Sequence, residues 1–237
     1  RAQSMDALTS MASIAGYRAA LIAASSIQKY LPMMVTAAGT IPPARGLVLG
    51  AGVAGLQAIA TARRLGAVMY GYDVRPVVKE QVQSLGATFV EASTTHDEAQ
   101  TEGGYARELT EDSQQREREL IHQHVRQADF VITTAAIPGR KAPLLVTREM
   151  IEDMRVGSVI VDTAAASGGN CEVTVPDEVA LVGGVTIHGP VNLPSSMATH
   201  SSQMYSRNIS SLLLLMIRDG EIRLDFSHQN LGPPSLH

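Results

Sequence analysis

The chain has a single cysteine and no tryptophan in 237 residues, and its aromatic share is only 4%. One thiol cannot close an internal disulfide, which excludes a disulfide-stapled secreted scaffold and fits a reducing compartment. A dominant charge sign is also missing: 19 Lys and Arg face 23 Asp and Glu, giving a net charge of −4 and a pI near 6.0. That balance supplies no basic stripe for a nucleic-acid surface. Long apolar runs are absent too. Leu212 to Ile217 is the most apolar stretch, far short of the ~20 residues a bilayer crossing needs. What is present is a hydrophobic share of 45%, too high for a disordered tail and enough to core one large α/β domain or a domain with an appendage. The start, Arg1-Ala2-Gln3, has no Met and does not resemble a signal peptide, so the chain reads as a piece of something longer.

Hydrophobic periodicity predicts a helix over 5–30, where Met5, Leu8, Met11, Ile14, Ala15, Leu21 and Ile22 recur near a 3.6-residue spacing. Punctuation at 39–43 precedes a short apolar run, Leu47-Val48-Leu49, that reads as a buried parallel strand. Helix over 53–65, strand over 67–72, helix over 76–85 with Pro76 in its first turn, and strand over 88–90 follow. Residues 91–113 are polar and Gly-containing, long for a connection and therefore expected to be functional or mobile. A charged helix over 114–127, a strand over 130–133, a short helix near 147–154 and a strand over 158–162 continue the alternation. Residues 172–175 and 185–188 read as strands about the turn at 182–184, and 195–217 as a long helix with a polar tail. Strands alternating with helices imply an α/β fold, a doubly wound parallel sheet of Rossmann-like type with flanking helices, truncated at its N-terminal side.

Gly50-Ala51-Gly52-Val53-Ala54-Gly55 has the pattern G-x-G-x-x-G. Its context gives it weight: it follows a buried strand, opens a helix, and Asp73 ends the next strand 18 residues after Gly55. Gly50 makes the tight turn, Gly52 lets a pyrophosphate approach bare backbone, and Gly55 lets helix pack on sheet. Free N–H groups at the helix start, around Val53 and Ala54, bind phosphate charge. A carboxylate at Asp73 accepts from both adenosine-ribose hydroxyls and repels a 2′-phosphate, which predicts NAD rather than NADP. Arg75, one residue beyond Val74, complicates this, since an Arg there can hold a 2′-phosphate or stack on adenine.

Ligands of such sheets bind beyond the C-terminal ends of the strands. Thr134, Ala135 and Ala136 after the fourth strand fall there, as do Gly169 and Asn170 after the fifth, and their small size suits a flat ring lying on backbone. Ordinary tight turns explain the same residues. No catalytic dyad and no metal set emerges. His122 and His124 sit two apart on the charged helix and read as solvated, as do Glu111, Asp112, Glu117 and Glu119. Cys171 reads as a buried or half-buried thiol.

These residues resemble a known family. The run Gly50 to Ala67 is similar to the NAD(H)-binding domain of proton-translocating NAD(P) transhydrogenase. So are Arg1-Ala-Gln-Ser-Met-Asp6, Pro32 to Arg45, Gly103-Gly-Tyr-Ala106, Ile137 to Pro143 and Gly168-Gly-Asn170. The resemblance extends from residue 1 to about residue 225. It implies that NADH bound here passes hydride directly to NADP⁺ on a separate domain, coupled by a transmembrane domain to proton movement. Such a transfer needs no general acid or base, only proximity and orientation. It also implies that Gln3, Asp6 and Thr9 lie on the loop holding the nicotinamide, that Tyr105 sits on a loop closing over nucleotide, and that a hairpin within 171–189 joins two copies. On this reading 1–44 is a helical linker carrying the nicotinamide-side loop, 45–192 the NAD-binding domain, and 193–237 a long helix and tail belonging to the first subdomain. The intact protein is then expected on a mitochondrial-type or bacterial inner membrane, with this domain on the matrix or cytoplasmic side. Two positions depart from the family: Ala166 stands where an acidic residue is usual, and Ser196 where Arg is. An alanine-dehydrogenase-like protein shares fold and cofactor site but carries a catalytic Asp where Ala166 stands, which counts against amino-acid oxidation. A non-catalytic NAD-binding module is the third alternative, against which the Gly-Gly-Tyr loop argues.

Overall fold

The computed structural model describes residues 3–91, 111–137, 139–218 and 220–222. A 3-10 turn, Gln3–Met5, leads into α1 (Ala7–Ser26). Asp6 caps that helix, accepting from Thr9 N at 2.9 Å, and Ala-rich sequence propagates it. A two-strand hairpin, β1 (Met34–Thr36) and β2 (Gly39–Ile41), follows where the sequence suggests only punctuation. Next come β3 (Arg45–Leu49), α2 (Val53–Arg64) and β4 (Val68–Tyr72). A 3-10 turn, Pro76–Val78, runs into α3 (Lys79–Ser84), followed by β5 (Thr88–Val90) and α4 (Glu111–Gln127). The chain continues through β6 (Phe130–Thr133), α5 (Arg148–Glu152), β7 (Val159–Asp162), β8 (Val179–Val182) and β9 (Val185–His188). A 3-10 turn over Leu193–Met197 then starts the long C-terminal helix α6 (Ala198–Met216), and β10 (Ile217–Arg218) pairs with β11 (Glu221–Ile222).

Among the described residues, seven strands form one sheet in the order β5-β4-β3-β6-β7-β9-β8. All neighbours are parallel except β8, which pairs antiparallel with β9 at the edge. The chain moves outward from β3 through β4 to β5, then returns to lay β6 on the other side of β3. That reversal opens a crevice beyond the strand ends, where ligands of such sheets bind. The Rossmann-like, mostly parallel sheet with flanking helices expected from sequence is the observed architecture.

Alternation along the strands builds two cores. Leu47, Leu49, Val131, Ile160 and Ile187 point to the face covered by Ile121 and Val125 of α4 and Met150 and Ile151 of α5. Val48, Phe130, Ile132, Val159 and Val161 point to the opposite face, under Ala19, Ala20 and Ala23 of α1, Ala58, Ile59 and Ala62 of α2, and Val82 of α3. Both faces being covered explains why these strands read as continuous apolar runs. α1 is long and apolar enough, by length and composition, to cross a membrane; in the fold it lies on α2, so closely that a Cβ on Gly16 would fall 2.0 Å from the Ala54 carbonyl oxygen.

One strand lies elsewhere than expected. Glu172 and Val173 form a turn and Thr174 and Val175 are irregular, and the first strand of the hairpin is β8. The buried carboxylate of Asp162 accounts for this by accepting from Cys171 N at 3.0 Å and Thr174 Oγ1 at 2.7 Å. Those bonds fold the segment back onto β7 before it can extend.

Candidate functional site

The turn after β3 is shaped by two close approaches. Gly50 has φ +98°, and a Cβ there would meet Ala135 N and Thr134 Oγ1 at 2.9 Å. A Cβ on Gly55 would fall 1.8 Å from the Gly50 carbonyl oxygen, so α2 starts pressed against the strand end. Gly52 differs. Among the described residues its surroundings are open, with only Arg75 Nη2, at 4.0 Å, near the position of a Cβ. As N-cap of α2, Gly52 makes no side-chain cap bond. A helix start of this kind is a ready anion site. Arg63 and Arg64 complement the other end of the α2 dipole.

Asp73, just past β4, turns its carboxylate back onto this loop. Oδ2 accepts from Ala51 N at 2.8 Å and from Arg75 Nη2 at 3.0 Å. Oδ1 accepts from Arg75 N and Arg75 Nε, both at 2.9 Å. Burial alone would raise the acid's pKa, but the bonds from Arg75 and Ala51 outweigh it and hold the carboxyl below the usual range, so it is charged at neutral pH.

Beyond these groups lies a cavity of about 480 Å³. Gly50, Gly52, Asp73, Val74 and Arg75 line one side; Thr134, Ala135 and Ala136, with Ile137, Pro143 and Leu145, line the other. Thr134 ties the two sides by donating its hydroxyl to the Gly50 carbonyl at 2.7 Å. Mainly apolar walls with a few convergent polar groups and an anion-binding turn suit a dinucleotide, whose flat rings pack while its phosphates and sugars are held.

Gly169 and Asn170 belong to the support of this wall. Asn170 is fully buried. Its Oδ1 accepts from Ala135 N at 3.1 Å, and its Nδ2 donates to the carbonyls of Ala135 and Pro143, each at 2.8 Å. A Cβ on Gly169 would fall 2.8 Å from Asp162 Oδ2. Val53 and Ala54 open α2. Gln3, Asp6 and Thr9 are not among the residues lining the cavity. Asp6 and Thr9 bond to each other, Thr9 Oγ1 donating to Asp6 Oδ2 at 2.7 Å. The Gln3–Met5 turn is held to α6 by Asn208 Nδ2, which donates to the Ser4 carbonyl at 2.8 Å. Tyr105 and the loop expected to close over nucleotide lie outside the described residues.

A family described as the alanine dehydrogenase/PNT C-terminal domain matches residues 19–233. The chain belongs to that family. It is 48% identical over 229 residues to the NAD(P) transhydrogenase subunit alpha of Haemophilus influenzae, covering 95% of this chain and 44% of that protein. Among solved structures, the transhydrogenase from Sinorhizobium meliloti matches with a TM-score of 0.84 at 47% identity, over 97% of this chain and 61% of that one. An L-alanine dehydrogenase matches with a TM-score of 0.71 at 25% identity, over 90% and 55%. These matches bear out the resemblance to the transhydrogenase alpha subunit read from sequence. The chain spans about half the length of these relatives.

Three features of this alanine dehydrogenase/PNT C-terminal domain, two of them at the site, are not foreseen from the sequence. Glu117 is not a purely solvated residue of α4: it lines the cavity and accepts from Tyr72 Oη at 2.6 Å. Burial, then the Glu117 carboxylate, pushes the Tyr72 hydroxyl far above its ordinary pKa. His122 likewise is not simply solvated; its Nε2 lies 2.8 Å from Asp153 Oδ2, joining α4 to the end of α5. Asp162, fully buried, accepts from Thr133 Oγ1, Ala164 N, Asn170 N, Cys171 N and Thr174 Oγ1 and so organises the turn after β7. An acid ending a strand ahead of a small-residue turn was a usable signal for Asp162. Nothing in the sequence pairs Tyr72 with Glu117. Cys171 is buried, as expected, and burial raises its thiol pKa.

Proposed function

We propose that the domain binds NAD(H) in the crevice between β3 and β6 and holds it for direct hydride transfer with NADP(H) carried on a separate domain. The observation that carries this reading is the charged Asp73 carboxylate, bonded to the backbone of Ala51 beside the uncapped start of α2. Gly52, Val53 and Ala54 would hold the dinucleotide's diphosphate, Asp73 a ribose, and Val74 and Arg75 the adenine side. Thr134, Ala135 and Ala136, braced by Asn170, would take the nicotinamide half. Gln3, Asp6 and Thr9 would serve its reacting end.

Bound there, NAD(H) supplies the hydride chemistry; the chain supplies position and the exclusion of water. No residue need take or give a proton at the reacting carbons. Ala166 is exposed in the 3-10 turn Ala165–Ser167 and offers a methyl where alanine oxidation would require a carboxylate. The relatives are named as a subunit of an NAD(P) transhydrogenase, which supports a partner subunit that carries NADP(H); a transmembrane partner and coupling to proton translocation follow from the family resemblance of the sequence. The β8–β9 hairpin supports a homodimer: β8 is an edge strand whose Val179 and Leu181 are 62% and 73% exposed.

The test mixes the complete subunit with its NADP(H)-binding partner and follows hydride transfer from NADH to a NADP⁺ analogue. Transfer without added amino acid is expected. NAD reduction that depends on alanine would move the assignment to an amino-acid dehydrogenase. Tight NADH binding with neither activity would leave a binding module.

A further inference from the structure

A carboxylate offers about four lone-pair positions to donors. On Asp73 all four are taken: Oδ1 by Arg75 N and Nε, Oδ2 by Ala51 N and Arg75 Nη2. Two of these donors are backbone groups, held by the turn itself. The other two belong to one guanidinium fork. A ribose diol brings two hydroxyl donors, so it cannot bond to this carboxylate while the fork is in place. Exchange is accessible because the Arg75 side chain is 41% exposed and the Asp73 side chain only 6%. The cation has solvent to move into; the acid has none. Arg75 Nη2 also stands 4.0 Å from where a Cβ on Gly52 would be, over the phosphate turn.

We propose that Arg75 is a clasp that occupies the ribose position of the free domain and is displaced donor for donor by the two ribose hydroxyls. Once released, it is the group that meets a 2′-phosphate and sets how well NADPH is tolerated. This rests on the dinucleotide reading above and adds a specificity residue to it. Asp73 excludes the extra phosphate in two ways, by its own charge and by holding the one nearby cation among the lining residues that could neutralise that phosphate.

The test is calorimetric titration of the complete subunit with NADH and with NADPH, for the wild type, Arg75→Ala, Asp73→Asn and the double variant. Removing the competitor should tighten NADH about fivefold, the scale of a partly exposed ion pair. The same change should weaken NADPH by a similar factor. Asp73→Asn should weaken NADH and tighten NADPH, and the double variant should lose that gain. Arg75→Lys, which keeps the charge without the fork, should tighten NADH only some of the way. An NADH affinity that is unchanged or weaker in Arg75→Ala overturns the clasp, and an NADPH affinity that does not fall overturns the 2′-phosphate role. If the wild type binds no NADH, the functional reading itself fails. If it binds NADH normally while Arg75→Ala changes nothing, only the clasp fails.

Discussion

Asn170 holds both backbone polar groups of Ala135: its Oδ1 accepts from Ala135 N at 3.1 Å and its Nδ2 donates to the Ala135 carbonyl at 2.8 Å. The segment after β7 thereby fixes the backbone after β6, where the cavity wall begins. Asn170→Asp keeps the acceptor but leaves two carbonyls, Ala135 and Pro143, without their donor and puts a charge in a buried place. The expected loss is about 3 kcal/mol of stability, read by urea unfolding. A loss below about 0.5 kcal/mol would show that the wall does not depend on this bridge.

Gly52 and Gly55 stand three residues apart and should fail differently. Gly55→Ala drives a methyl into the Gly50 carbonyl and should destabilise the domain by on the order of 3 kcal/mol. Gly52 has an ordinary φ of −76° and open space, so Gly52→Ala should cost no more than about 1 kcal/mol. It should nevertheless weaken NADH at least about tenfold, because the methyl stands where the diphosphate must approach. Thermal melts and NADH titrations of the two variants separate these effects; equal melting losses would contradict the geometry.

Asp73 makes the fold depend on acid. Its folded pKa lies below the ordinary 3.8, so its stabilising contribution is present above that value and is lost as pH falls through the lowered folded pKa. Asp73→Asn should therefore be less stable than the wild type at pH 7, with the gap narrowing below about pH 4. Urea midpoints measured across pH 3 to 7 check this. A gap independent of pH would mean that charge on Asp73 does not hold the turn.

His188 acts in the other window. Burial lowers its pKa from 6.5, and its Nε2 lies 2.9 Å from Ser26 Oγ. The unfolded chain therefore binds a proton that the folded chain resists as pH drops below 6.5, and stability declines from there until the folded pKa is reached. His188→Gln should flatten this stretch of the curve while changing stability little at pH 8. Parallel curves for variant and wild type between pH 7 and 5 would rule the titration out.

Local grammar made much of the site legible. The G-x-G-x-x-G turn, the acid ending the next strand and the small residues after the fourth strand are consequences of nearest-neighbour geometry, and the structure brings Gly50, Gly52, Asp73 and Thr134 to Ala136 to one cavity. The course of 172–175 was not legible, because its extended pattern loses to bonds donated to Asp162, a residue 9 positions before Cys171 and 12 before Thr174. Glu117 looked solvated because helical periodicity says which residues share a face but not what that face meets.

By itself the sequence determined the alternation of strand and helix, the two-sided burial of the sheet and the glycine-rich turn that opens α2. Each follows from apolar spacing or backbone freedom within a few residues. The tertiary structure alone decided which donors Asp73 holds, that Tyr72 and Glu117 meet across 45 residues, and that Asn170 reaches Ala135 across 35. Those contacts depend on the order in which strands are laid side by side, and that order is settled by the packing of the whole sheet and its helices.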